Sequence, residues 1–214
     1  MEDAHTFMKS TQPAAEGLFK LLNQYGWDKM RAFVALTKST TRAEVGANNA
    51  EFRSKDIARE VIAGSILQIA YVAIAKYASP GVKSANAVHF ESEINRLIEE
   101  NPERVRRREP FKLPSKFCVG RDIGHLPLGM VVYAGRNQYN HFYEGERLSI
   151  VNELVFNHLH VMNPEPPSGL SFDLRPNQLF SYSILTALGW IDSSRGLGYP
   201  TYERDMCSIL GVEL

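Results

Sequence analysis

The stretch that most limits what this chain can become runs from about Ser54 to Ala78, apolar on nearly every side and closed by Ser79, Pro80 and Gly81. A helix of that kind belongs at the centre of a bundle or between two subunits. Its most apolar part, Val61 to Ala75, contains Gly64, Ser65 and Gln68 and is shorter than the roughly 20 residues that cross a bilayer, so a buried helix is expected rather than a membrane span. With 214 residues, 44% of them hydrophobic, the chain can fill such a core without a metal or a disulfide.

The flanking sequence predicts more helices. Leu18, Leu22 and Tyr25, then Met30, Phe33 and Val34, recur at helical spacing over Ala15 to Leu36. Gly26 interrupts them and Asp28 can cap the second piece, which predicts two helices or one broken helix. Lys38 to Asn49, rich in Thr, Ser, Gly and Asn, is expected to be a loop. From Ser84 to Glu100, Ala87, Phe90, Ile94, Leu97 and Ile98 form one stripe, ended by Asn101 and Pro102.

Lys112 to Pro127, punctuated by Pro114, Gly120 and Gly124, predicts irregular chain with a short helical turn, and Pro127 falls in the first turn of the next helix. That helix carries Met130, Val131, Val132 and Ala134, and another runs from Arg147 to Met162, with His158 on its apolar stripe as a satisfied core histidine. Prolines in 163–169 mark a linker, after which Arg175 to Gly189 and Thr201 to Leu210 predict two further helices. The expected fold is all-α: a helical bundle over residues 1–162 and a C-terminal helical extension, 163–214, packed on it.

Composition narrows function less. With 24 basic and 24 acidic side chains the net charge is zero, so no overall field recruits nucleic acid, and any such affinity must come from a local patch. Arg104, Arg106, Arg107 and Arg108 are the most basic point, read as a solvated loop pairing with Glu99, Glu100, Glu103 and Glu109. Cys118 and Cys207 lack the spacing of a disulfide framework and fit free thiols in a reducing compartment. The opening MEDAHTFMKS has no apolar signal core, so a cytoplasmic location without membrane contact is expected.

Chemistry concentrates in Gly129 to Tyr143, where an apolar run passes into Arg136, Asn137, Asn140 and His141. Those types suit attack on an RNA phosphodiester by its own 2'-hydroxyl. A histidine, with an ordinary pKa near about 6.5, can take or give a proton at neutral pH, and an arginine presents a fixed planar cation to phosphate oxygens. No metal or cofactor is required. In a continuous helix, however, Arg136 and His141 point roughly 140° apart and lie about 7.5 Å apart along the axis. Either the helix loosens near Asn140, or a twofold dimer gathers the side chains into one cleft.

The pattern of Arg136, Asn137, three further residues and His141 at the end of an apolar helix resembles the motif of the HEPN (higher eukaryote and prokaryote nucleotide-binding) superfamily, an Arg followed after four to six residues by a His. The likeness spans about residues 56–78 and 126–162. It implies a HEPN-like bundle and a metal-independent ribonuclease site at a homodimer interface. Arg136 and His141 would then be catalytic, Asn137 would bind substrate, and RNA would be the substrate. With Tyr143 added, the residues also match the form found in toxins of two-gene systems, whose antitoxin modifies the tyrosine. That form implies Tyr143 as a modification site and an antitoxin or other defence-system protein as partner, set against an aromatic that merely packs.

Three blander assignments stand beside these. Arg136 could pair with Glu144 or Glu146, His141 could be a helix-terminal histidine favoured by the dipole, and Asn140 reads as a helix-end polar residue. The same fold could then serve as a non-catalytic binding or assembly module, or the motif could be a coincidence in an unrelated helical regulator.

Overall fold

The computed structural model describes residues 3–78, 83–104, 115–141, 148–163, 172, 179–191 and 198–213. The fold is all-α. Among these residues seven α-helices are joined by a two-strand hairpin and a short 3-10 turn. In chain order they are α1 (Ala4–Thr37), α2 (Arg42–Tyr77), α3 (Ala85–Glu100), α4 (Leu128–His141), α5 (Ile150–Met162), α6 (Ser181–Ala187) and α7 (Tyr199–Leu210). The strands β1 (Asp122–Ile123) and β2 (Leu126–Pro127) pair antiparallel just before α4.

Two expectations about the first third need correction. The region read as two pieces is one helix, α1, which starts at the Asp3 cap and runs through Pro13 and Gly26. Proline inside a helix costs about 3 kcal/mol and glycine about 1. Tertiary contacts offset this: Met8, Ala15 and Phe19 are buried, Phe7 lies 5.2 Å from Tyr77, and Asp28 binds Arg31 instead of capping a new helix. The expected loop at Lys38 to Asn49 is also mostly helix. Thr41 accepts from the Glu44 N–H at 3.2 Å while the Glu44 carboxylate accepts from the Thr41 N–H at 3.1 Å, a reciprocal cap that starts α2 at Arg42.

At about 1.5 Å per residue, α1 and α2 form an antiparallel hairpin on the order of 50 Å long. Its base and its tip differ. In the base, Met8 to Leu22 of α1 and Ala63 to Ile74 of α2 supply the buried residues; beyond them only Ala32 is buried. The tip is held by contacts between the two helices, including Phe33 against Phe52 at 6.1 Å and Lys29 bonded to Asp56. By length and apolarity α2 could cross a membrane, but its apolar face from Ala63 to Ile74 is packed inside the protein.

Helix α4 lies against α2 and is buried from Leu128 to Gly135 and again at Asn137 and Gln138. Close approach depends on Gly64, where a Cβ would come within 2.4 Å of the Tyr139 ring. Pro127 ends β2 rather than sitting in the helix, because the preceding chain satisfies the first helical N–H groups: Leu128 donates to Arg121 at 2.9 Å and Gly129 to Val119 at 3.0 Å. Asp122 in β1 accepts from Ser84 and Asn86 at the start of α3, at 2.9 and 2.8 Å.

The C-terminal helices join the same core. Ile184, Leu185, Leu188, Trp190 and Met206 are fully buried, with α6 on α2 and α4 and α7 on α1 and α2. Helix α6 is shorter than the expected span to Gly189, and residues 173–178, with Pro176, lie outside the described residues. Helix α5 begins at Ile150, capped by Ser149, and Arg147 lies outside the described residues. His158 is only partly buried, edge-on to Phe90 at 5.6 Å with Glu93 at 3.4 Å. Arg104 pairs across to Glu153 of α5 at 2.7 Å rather than with the glutamates near it in sequence, while 105–109 lie outside the described residues.

Candidate active site

Arg136 projects from the last turns of α4 toward α2. Its Nε donates to the Gln68 side-chain oxygen at 3.1 Å and its Nη1 to the Asn137 oxygen at 3.1 Å. The guanidinium carbon lies 4.5 Å from the centre of the Tyr71 ring, a cation–π contact. With its amide oxygen toward the guanidinium, Asn140 accepts from Nη2 at 2.9 Å. Tyr71 is itself held by Phe117, stacked at 4.8 Å, and by Tyr133 at 6.2 Å. Every one of these partners is neutral, so among the described residues the cation is fixed in direction with no carboxylate against it.

Asn137 is buried, 8% exposed, and its oxygen holds Arg136. Its observed contact is with Arg136, which it helps to position. Asn140, expected to be only a helix-end polar residue, contacts the guanidinium as well. Gln68 and Tyr71 were not singled out as site residues by sequence reasoning. The signal was Gln68 itself, an amide inside the most apolar stretch of the chain.

His141 is the exposed last residue of α4. The helix is unbroken from Leu128 to His141, so it does not loosen at Asn140, and the five-residue step sets His141 roughly 140° around the axis from Arg136. Within one chain the helix does not bring the two side chains together. Tyr143, Glu144 and Glu146 lie outside the described residues. Cys118 is buried, and burial pushes its thiol up to about 12, which makes it a packing residue and a poor nucleophile. Among the described residues no three His, Cys, Asp or Glu side chains cluster as metal ligands would. Comparison with protein-family models, curated proteins and solved structures gave no match.

Proposed function

We propose that this chain is a metal-independent endoribonuclease of HEPN type, acting as a homodimer. The observation that carries the reading is the bracing of Arg136 by Gln68, Asn137, Tyr71 and Asn140, all neutral groups, at the end of a buried helix that also bears His141. A cation held this way meets a phosphate without having to leave a carboxylate first.

In the reaction, one His141 takes the proton of the RNA 2'-hydroxyl and the 2'-oxygen attacks phosphorus. The bond to the 5'-oxygen breaks, and the partner subunit's His141 returns a proton to that leaving group. The products are a 2',3'-cyclic phosphate and a 5'-hydroxyl. Arg136 stabilises the charge on the non-bridging oxygens, and Asn137 keeps Arg136 in place. On the family likeness the protein is a cytoplasmic toxin or phage-defence effector, held in check by an antitoxin or another defence protein, with Tyr143 as the residue such a partner would modify.

Purified protein incubated with RNA in EDTA should give cyclic-phosphate ends. Arg136→Ala and His141→Ala should each lower the rate by about 100-fold or more while circular dichroism stays unchanged. Cutting that persists in both variants would exclude this site. A second reading, a non-catalytic HEPN-like assembly module, is favoured by the separation of Arg136 and His141 on an unbroken helix. The same incubation in EDTA distinguishes them, since such a module leaves the RNA uncut.

A further inference from the structure

On the side of the hairpin toward α6, a groove of about 680 Å³ opens between α1, α2 and the segment around α6, within the roughly 300–1,000 Å³ of small-molecule sites. Its walls are aromatic: Trp27 and Phe33 from α1, Phe52 from α2 and Tyr182 from α6. Trp27 is 71% exposed and Phe33 48%, unusual for such side chains unless something covers them. Two cations, Lys29 and Arg59, line the groove, and no carboxylate does among the described residues.

The cations are not alike. Lys29 is bonded to Asp56 and lies over the Phe52 ring at 4.8 Å, so its charge is answered. Arg59 stacks on Tyr182 at 3.7 Å, with Asp56 only at 3.8 Å, and its side chain is 12% exposed. Its buried Nε has no hydrogen-bond partner among the described residues. That atom is enclosed, so the part of Arg59 that faces the groove lies elsewhere on its side chain. The neighbouring Glu60 carboxylate is turned to the Tyr182 N–H at 3.1 Å instead.

We propose that this groove binds a small planar aromatic molecule carrying one anionic group, its ring between the aromatic walls and its anion on Arg59. The site is separate from Arg136 and does not rest on the nuclease reading. Carboxylate and phosphate monoester share the required chemistry, so the test uses 2-naphthoate, 2-naphthyl phosphate and the neutral 2-naphthylmethanol in calorimetric titrations of the full chain.

One-to-one binding is expected for at least one anion, with the neutral probe about 10-fold weaker or more, since it lacks the charge-assisted bond to the guanidinium. The tighter of the two anions names the ligand class. Arg59→Gln should reduce the anions to the level of the neutral probe, and Trp27→Ala, at a mostly exposed position the fold does not need, should weaken all three several-fold. Arg136→Ala should leave every affinity unchanged. Equal binding of neutral and anionic probes, no binding at all, or anion affinity unaltered by Arg59→Gln overturns the proposal. So does a dimer that dissociates in Trp27→Ala, because the groove would then hold a second copy.

Discussion

Arg121 and Arg136 lie near opposite ends of α4 and show two ways of holding the same side chain. Arg121 is clasped by Asp205 of α7, with Nε at 2.9 Å and Nη2 at 2.8 Å, and Asp205 also accepts from the Trp190 indole at 2.8 Å. Arg136 is held as firmly, but by two amides on its own helix, one on α2 and a tyrosine ring. The first spends its charge within the protein and joins the C-terminal helices to the β1–β2 hairpin. The second keeps its charge while losing its freedom, which is what a group awaiting an anion needs.

Breaking each clasp should separate them. Asp205 is only 6% exposed, and Asp205→Ala leaves both the Trp190 N–H and one side of Arg121 without an acceptor. A loss of about 3–4 kcal/mol is expected from urea unfolding, whereas Arg136→Ala should cost about 1 kcal/mol or less. Equal losses would erase the distinction. Next in size, Gly64→Val forces its side chain into the Tyr139 ring, and the displaced end of α4 should cost about 2–3 kcal/mol. Because Tyr139 shares the last turns of α4 with Arg136, RNA cleavage should fall in the same variant; a stability loss with full cleavage would detach the site from this packing.

Much of this frame was legible in the sequence, and the failures are physical. The buried face of α2, the apolar stripe of α3, and the apolar runs of α4 and α5 follow from local periodicity, which one stretch of chain contains by itself. Gly26 read as a break because propensity is local, yet a side chain there would meet nothing within 4 Å and the helix continues through it beside its hairpin partner. The Thr41 to Glu44 cap was present in the sequence, but the Gly and Asn residues after it outweighed it. Arg136 and the end of α4 were visible; Gln68 lies 68 residues away, and no pattern within either segment links them. The partner of Arg121 was hidden for the same reason, 84 residues distant.

Glu60 sharpens the contrast from the acidic side. It is a carboxylate answered mainly by N–H groups, with burial pushing it up to about 7 despite the Tyr182 N–H bond and nearby Arg59. Because its folded value lies above the unfolded 4.5, its contribution to stability is complete below about pH 4.5 and is lost as pH rises through 7. Between pH 5 and 8 that loss should be about 2 kcal/mol. Glu60→Gln, which keeps an acceptor for Tyr182, should flatten this part of the stability profile in thermal melts. An unchanged slope would show that the carboxylate is better solvated than its position implies.

The smallest effect on stability should accompany a selective effect on chemistry. Gln68→Ala removes one acceptor from Arg136 but leaves Asn137, Asn140 and the Tyr71 ring, so unfolding should shift by less than about 1 kcal/mol. If the guanidinium is braced for a phosphate, its direction still loosens, and the cleavage rate should drop about 10-fold with RNA affinity less affected. Gln68→Glu restores the acceptor but adds the negative charge that the site otherwise lacks among its described neighbours. Arg136 would then resemble Arg121, clasped by a carboxylate, and cleavage should fall further than with alanine even though the protein becomes no less stable. If Gln68→Glu cut RNA as well as the unaltered protein, the neutrality of the brace would have no bearing on its chemistry.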